Sequence, residues 1–422
     1  MSPRRLEIGD RLGMTAAKPK PARYRWVVLA VGAGATAALS AVQGGLPALG
    51  PAIQSTFGLT LIEVTAVFSA FGLGTVATLL AWGVLADRVG ERPVIVVGLG
   101  SASLVVAGVG ASDGYGALLG GVALAGALGA AGIAASGRAV FHWFPRDERG
   151  FALGLRQTAV PVGAAAASFS LPPLAAGAGL DAALYALAGG LLLAAVAAAI
   201  WLREGPRVES AAPPAPDAVR DPRIWRLSAA SSLMIIGQVG VTSLLVLYLY
   251  DERGWSAAAA AVALGTTQLG AALARVAAGR WSDLRGERIE PFRRLATAAG
   301  LLLLAATALS PAPAAIAVPV LMAGGIAAMS WNGLSFTAAA EISGRRQAGK
   351  AMGIQNTAMR IVAAGVPVAL GALASEVSWA MAFAVMGVTP LLARALLEPL
   401  VEDERRRGRE RSARLQSALA KP

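Results

Sequence analysis

The sequence predicts an all-α membrane protein with twelve transmembrane helices, arranged as two six-helix bundles. Three observations predict this class: long apolar runs, an uneven distribution of basic residues, and an internal repeat. The chain has 422 residues, of which 56% are hydrophobic and 15% are charged, and its mean hydropathy is +0.60. A soluble domain of this length could not bury so much apolar surface, whereas apolar runs of about 20 residues match the thickness of a bilayer.

The apolar runs provide the first observation. Each run of about 20 residues is interpreted as one membrane-spanning helix. The predicted spans are 26–49, 60–82, 93–111, 114–143, 150–176, 181–202, 224–250, 256–278, 294–311, 314–339, 349–374 and 377–400.

The basic residues outside these spans lie almost entirely on one side of the membrane. Both tails and every second loop carry them, and the other side takes only Arg253. Because positive charge is retained in the cytoplasm during insertion, both termini are predicted to be cytoplasmic. The same asymmetry accounts for the formal net charge of +12, so it does not call for a nucleic-acid partner. A cleavable secretory signal ending at Ala41 is the weaker alternative, because removing the first span would invert every later loop.

The chain also contains an internal repeat. GVLADRVGER (83–92) matches GRWSDLRGER (279–288) at an offset of 196 residues (279 minus 83), and GFALGLRQTA (150–159) matches GKAMGIQNTA (349–358) at an offset of 199 (349 minus 150). Each pair falls on the same turn of a six-helix unit, which predicts two bundles in parallel orientation. The predicted organisation is a basic tail (1–25), a first bundle (26–202), a Pro-rich linker (203–223), a second bundle (224–400) and a second basic tail (401–422).

The segment GVLADRVGER resembles the signature loop of the major facilitator superfamily, Gly-x-Leu-(Ala/Gly)-Asp-Arg-x-Gly-Arg-(Arg/Lys), with Glu91 where the family often has Arg. The resemblance covers almost the whole chain, because the spans, the repeat and the linker are also family features. It implies a transporter in which this loop acts as a conformational latch. The implied latch residues are Gly83, Asp87, Arg88, Gly90 and Arg92, with Asp283 in the second copy, where Leu284 replaces Arg88.

The resemblance also implies a role for individual latch residues. Gly83 would allow a close helix approach, and Asp87 would pair with a nearby Arg and face a helix N-terminus of the other half. Arg88 and Arg92 would hold cytoplasmic carboxylates. A solvated turn that only sets the topology is the alternative interpretation of these charges.

The amide side chains inside the spans indicate the transport path. They occur in spans 1, 5, 7, 8, 10 and 11. An amide that faces lipid would remain unpaired at a cost of several kcal/mol, so these spans are predicted to line the cavity. Each amide can bind solute or hold two helices together. They are Gln43, Gln157, Gln238, Gln268, Asn332, Gln355 and Asn356.

Arginine residues inside the spans are the most informative charges. At about 1.5 Å per residue, Arg360 falls near the bilayer midplane, and no carboxylate is equally deep. A mid-membrane Arg normally marks a transport pathway or a counter-ion for substrate. We therefore expect an anion-selective cavity with Arg360 as principal ligand, and with Arg156 and Arg138 nearer its cytoplasmic mouth. As the alternative, Arg138 and Arg156 would extend to the membrane surface, as Arg275 and Arg394 are expected to do.

These observations predict a transporter of a small anionic or carboxylate-bearing solute, secondary active or facilitative, in a bacterial inner membrane. The resemblance makes drug efflux the weaker alternative, since Val122 and Ala123 stand where drug–proton antiporters carry an Arg. A membrane sensor without flux is the alternative from another class. With no Cys and only His142, we expect neither metal nor cofactor nor enzyme activity. The expected partners are the solute, H⁺ as a candidate coupling ion and the lipid bilayer, and the chain is expected to be a monomer.

Overall fold

The computed structural model describes residues 23–144, 148–205 and 218–419, and this part of the chain is all-helical. The prediction of an all-α fold is therefore confirmed. Most of the predicted N-terminal tail and of the linker lies outside the described residues. The long helices are α1 (Tyr24–Ala48), α2 (Leu61–Val89), α3 (Glu91–Gly110), α4 (Tyr115–Trp143), α5 (Arg149–Ala178), α6 (Leu180–Trp201), α7 (Pro222–Glu252), α8 (Ala257–Arg285), α9 (Ile289–Ala308), α10 (Ala314–Gly344), α11 (Gln347–Glu376) and α12 (Trp379–Leu419).

Eleven helices in the described residues are long and apolar enough to cross a membrane. The remaining long helix, α9, begins with a charged turn that contains Glu290, Arg293 and Arg294. These charges lower the hydropathy of a 20-residue helix below the level typical of a span. The crossing by α9, and with it the count of twelve, stays a prediction.

Local sequence explains where several helices begin and bend. Thr60 and Glu63 form a reciprocal capping box at the start of α2, which satisfies free backbone N–H groups of its first turn. The last five residues of α7, Tyr248–Glu252, form a π-helix. Helix α10 is interrupted at Ser330–Trp331, where the buried Trp331 ring stacks on Phe292 of α9 with 5.1 Å between ring centres.

Glycine allows close packing inside each half of the molecule. A side chain at Gly126 of α4 would collide with the backbone of Phe71 on α2, and one at Gly163 of α5 would collide with the backbone of Ala37 on α1. Helix α3 packs on α6 in the first half, and α9 packs on α12 in the second. Small residues of this kind let helix backbones approach closely where no hydrophobic driving force acts between them.

The two halves pack on each other through two helix pairs, α2 with α11 and α5 with α8. We call the end of the bundle that carries the turns at Gly90 and Gly286 the loop end, and the opposite end the far end. Toward the far end the halves are in contact: the Ser69 hydroxyl accepts a hydrogen bond from the Val368 N–H at 3.0 Å. A Cβ at Gly72 would lie 2.9 Å from the Ala364 backbone.

Toward the loop end the same helices diverge. A Cβ added at Gly83 of α2, or at Gly349 or Gly353 of α11, would meet no atom within 4 Å. The open space beside these glycines indicates looser packing of α2 and α11 toward the loop end, which is the predicted cytoplasmic side.

Candidate functional site

Arg156 of α5 lies between the helices of the first half and is 8% exposed. Its Nη1 donates hydrogen bonds to the Thr36 hydroxyl of α1 and to the Ser136 hydroxyl of α4, both at 2.9 Å. Its Nε is buried and has no partner in the described part of the chain. Two neutral hydroxyls orient this guanidinium without neutralising it, so its charge remains available to a ligand.

The second half contains an equivalent cluster. Gln355 of α11 is fully buried, and its Nε2 donates to the Ser335 hydroxyl and, at 2.9 Å, to the Ser231 hydroxyl. Ser231, Ser335 and Gln355 follow Thr36, Ser136 and Arg156 by 195, 199 and 199 positions (231 minus 36, 335 minus 136, 355 minus 156). The repeat thus places one polar centre in each half, and only that of the first half is charged.

Arg360 of α11 is partly exposed and forms no hydrogen bond or ion pair with any residue that the structure describes; its Nε is buried without a partner. It lies close enough to Arg156 for their like charges to repel each other. The structure therefore brings together two of the three predicted cationic ligands, one from each half. Neither is paired with a carboxylate of the described residues.

Arg138 lies elsewhere, at the loop end. Its guanidinium pairs with Asp87, and its Nε lies 3.8 Å from a carboxylate oxygen of Glu91. Arg138 is therefore the nearby Arg that pairs with Asp87, and it differs from Arg156 and Arg360 in having carboxylate partners.

Arg275 of α8 was expected to extend to the membrane surface, and this expectation is wrong. Its Nε donates to the carbonyl oxygen of Met329 at 2.7 Å, and its Nη1 donates to that of Gln157 at 3.1 Å. Met329 precedes the interruption of α10, where carbonyl groups lose their helical partners. Arg275 stays inside the bundle because these buried acceptors bind it.

The latch loop contains a feature that sequence reasoning missed. Gly90 has φ +98° and allows the Glu204 carboxylate to approach; a Cβ there would lie 2.6 Å from that carboxylate. Glu204 accepts hydrogen bonds from the N–H groups of Glu91 at 3.1 Å and Arg92 at 2.9 Å. It thereby caps the N-terminus of α3. A carboxylate oxygen of the nearby Glu91 lies 2.9 Å from His142 Nδ1.

Several roles implied by the family resemblance do not appear in this structure. Gly83 has open space beside it rather than a close helix, because the halves diverge there. Asp87, by contrast, pairs with Arg138 of its own half, as the resemblance implies for a nearby Arg. Among the described residues, the Arg92 guanidinium donates to the Ala199 carbonyl and to no carboxylate, and Arg88 is exposed with no partner.

The second copy of the loop forms its own ion-pair cluster. Arg288 pairs with Asp283, and with Glu341 at 3.0 Å. Glu404 of α12 accepts from the N–H groups of Arg288 at 2.7 Å and Ile289 at 3.0 Å, and so caps α9. Glu404 follows Glu204 by 200 positions (404 minus 204), which makes the carboxylate caps a repeated feature of the fold. A carboxylate within four residues of the end of the sixth predicted span of each half, Glu204 after 202 and Glu404 after 400, was the signal in the sequence.

The predicted amides are not gathered into one cluster of hydrogen bonds. Gln268 donates to the Thr242 hydroxyl at 3.2 Å. The side-chain oxygens of Gln238 and Asn332 are buried and have no partner in the described residues. Gln43 is exposed and Asn356 is partly exposed, so both are accessible to a ligand.

Comparison with known proteins matches this architecture to transporters. The model of the Major Facilitator Superfamily matches residues 29–367. The "Uncharacterized MFS-type transporter Rv2994" of Mycobacterium tuberculosis (strain ATCC 25618 / H37Rv) is 36% identical over 379 residues, covering 87% of this chain and 84% of that protein. The transporter MT3072 of Mycobacterium tuberculosis (strain CDC 1551 / Oshkosh) has the same identity and coverage.

Solved structures share the fold. A bacterial homolog of the human lysosomal transporter Spinster, in an inward-facing and occupied conformation, has a TM-score of 0.71 at 18% sequence identity and covers 92% of this chain and 98% of its own. Its inward-facing and unoccupied conformation has a TM-score of 0.65 at 16% identity and covers 91% and 96%. Together with the repeated helices and the signature loop, these matches establish that the chain belongs to the Major Facilitator Superfamily, as a multi-pass membrane transporter and not an enzyme.

Proposed function

We propose that the chain carries a small anionic or carboxylate-bearing solute across the bacterial plasma (inner) membrane, by secondary active or facilitative transport. One observation carries the proposal: Arg156 and Arg360, on opposite halves, are near enough for their like charges to repel, and neither pairs with a carboxylate of the described residues. Two unneutralised guanidinium groups at this depth repel each other and are costly to bury. A bound anion relieves both costs.

The way each arginine is held supports a carboxylate as ligand. Arg156 uses Nη1 for the Thr36 and Ser136 hydroxyls, which fixes the plane of its guanidinium. A planar guanidinium can bind a carboxylate through two parallel hydrogen bonds. Arg360 forms no bond within the described part of the chain, so it can move toward an anion that Arg156 already holds. We assign Arg360 and Arg156 as the principal ligands.

The packing of the halves supports alternating access. Contacts such as Ser69–Val368 and Gly72–Ala364 close the far end, while α2 and α11 diverge at the loop end. With both termini in the cytoplasm, this arrangement is open to the inside. Rocking of the halves would close the loop end and expose Arg156 and Arg360 to the other side.

The test is solute uptake by proteoliposomes, with a panel of carboxylates, inorganic anions and cationic dyes. We expect saturable transport of at least one anion, and a loss of about 10- to 100-fold in apparent affinity for Arg360→Gln and for Arg156→Gln, the range expected when a hydrogen bond to a charged group is lost. Arg394→Gln is the matched control, since Arg394 is an exposed arginine of α12. The proposal fails if Arg360→Ala and Arg360→Lys both transport every anion normally.

The same assay separates the alternatives. Transport of cationic dyes with no anion transport would favour proton-coupled drug efflux. No flux of any solute by a folded protein would favour a membrane sensor. An imposed pH gradient shows whether H⁺ is the coupling ion.

A further inference from the structure

The loop end of α8 and the start of α9 form an arginine-rich surface around Trp281. The guanidinium carbon of Arg285 lies 5.4 Å from the centre of the Trp281 ring, and that of Arg294 lies 5.7 Å from it. Both distances are within the range of a cation–π interaction. One indole thus holds two cations, which come from two different helices.

Positive charge is in excess on this surface. The one buried carboxylate, that of Glu290, is 3% exposed and is shared by three guanidinium groups. It pairs with Arg293 at 2.9 Å and with Arg294 at 2.7 Å, and it lies 3.9 Å from Arg405. A second carboxylate, Glu398, pairs only with Arg293. The loop-end segment 280–294 carries five arginines and three carboxylates, those of Asp283, Glu287 and Glu290, so positive charge remains in excess there.

The donors that face outward are not used within the described residues. Arg285 is exposed and has no hydrogen bond or ion pair there. Arg294 is 52% exposed and gives only its Nε to Glu290, which leaves both terminal nitrogens available. The indole N–H of Trp281 has no acceptor in this part of the chain either. Guanidinium and indole N–H groups arranged in this way suit the oxygens of a phosphate.

The position of this surface identifies the source of the phosphate. Trp281 lies four residues before the end of α8 at Arg285. Tryptophan is enriched at this depth, where the membrane meets water. Leu273 and Ala277, about two turns and one turn earlier in the same i, i+4 row of α8, are exposed and apolar. A ligand with a phosphate headgroup and acyl chains fits a surface that is polar at the loop end of α8 and apolar deeper in the membrane.

We propose that Trp281, Arg285 and Arg294 bind the headgroup phosphate of an anionic phospholipid in the membrane leaflet at the loop end. The lipid neutralises the surplus charge between α8 and α9, two helices that are joined only by the short turn at Gly286. It thereby anchors the charged start of α9 at the membrane surface.

The purified full-length protein in neutral detergent is titrated with phosphatidylglycerol, phosphatidylcholine or inorganic phosphate, and bound lipid is counted by native mass spectrometry. We expect selective binding of phosphatidylglycerol. Each arginine near an anionic surface increases the affinity about fivefold. Arg285→Gln/Arg294→Gln should therefore weaken phosphatidylglycerol binding at least about tenfold. Arg220→Gln/Arg226→Gln is the matched control, because it removes the same charge from two exposed arginines, one just before α7 and one in its second turn.

Equal phosphatidylglycerol affinity in the wild type and in Arg285→Gln/Arg294→Gln overturns the proposal, as does an equal loss in the control. Equal binding of phosphatidylcholine also overturns it. Competition by inorganic phosphate at the lipid concentration shows a site for free anions instead. If the double variant does not fold, Arg285→Gln alone serves, since Arg285 makes no hydrogen bond or ion pair within the described residues. None of these measurements requires transport, so they are independent of the proposed solute.

Discussion

Arg275 of α8 donates a hydrogen bond at 3.1 Å to the carbonyl oxygen of Gln157 on α5, across the boundary between the two halves. This carbonyl lacks its usual helical partner, because the residue four positions later is Pro161, which has no N–H. The same guanidinium binds Met329 at the interruption of α10. One arginine therefore satisfies two backbone irregularities that lie in different halves.

Arg275→Met is expected to destabilise this packing of the halves. Each lost hydrogen bond from a charged donor is worth about 1.5–3 kcal/mol when its partner stays buried, so the population of the loop-end-open state should fall about tenfold or more. The chain has no Cys, so a single Gly353→Cys reports opening of the loop end by its rate of alkylation. Arg394→Met in the same background is the control, and an unchanged rate in Arg275→Met would contradict the role of Arg275.

Arg156→Gln is expected to fold normally and to lose anion affinity. Gln355 shows that a glutamine fits the repeat-equivalent position beside two hydroxyls. Thermal unfolding should therefore change little, while the apparent affinity for the transported anion falls about 10- to 100-fold. Binding measured by transport competition gives the affinity. A variant that unfolds at much lower temperature would instead assign Arg156 a structural role.

Gly72→Leu is expected to shift the protein away from the loop-end-open state. Its Cβ would lie 2.9 Å from the backbone of Ala364, which cannot yield as a flexible side chain could. The halves must separate at the far end to accommodate it. Labelling of Gly353→Cys should slow relative to the parent, and Gly100→Leu, which has open space around it, should leave the rate unchanged. Equal rates in the two variants would show that this contact does not set the conformation.

Glu204→Gln tests the cap of α3 through its pH dependence. Burial raises the pKa of the Glu204 carboxyl above its ordinary value of 4.5. A carboxyl with a raised pKa binds its proton more tightly in the folded state than in the unfolded state. Its contribution to stability is therefore full below pH 4.5 and is lost as the pH rises through the raised pKa.

Glutamine resembles the protonated carboxyl at every pH. The melting temperature of Glu204→Gln relative to the wild type should therefore increase as the pH rises from about 4 to 8. Thermal unfolding at a series of pH values measures this difference, with Glu376→Gln, at an exposed helix end, as the control. A difference that is constant with pH would show that Glu204 does not titrate in the folded protein with a raised pKa.

The spacing of residues along the chain predicted much of the candidate site. Predicted depth in the bilayer singled out Arg360 and Arg156 as candidate solute ligands, because distance along a helix is proportional to residue number. Depth alone could not separate Arg138, which is paired with Asp87, from the unpaired arginines. It also could not show that Arg275 has carbonyl acceptors inside the bundle. Both outcomes depend on side chains and backbone groups that are more than 45 residues away in sequence.

Composition, the long apolar runs, the one-sided basic charge and the offsets of 196 and 199 residues determined a helical, doubled membrane transporter from the sequence by itself. Each of these can be read along the chain without knowing how helices pack, since the length and hydropathy of a segment decide whether it enters the bilayer. Only the tertiary structure decided which charged groups have a partner. Glu204 accepts hydrogen bonds from the start of α3, and Asp87 pairs with Arg138. Arg360 has no partner among the described residues. Pairing depends on how helices rotate and pack, and that geometry is a property of the whole bundle.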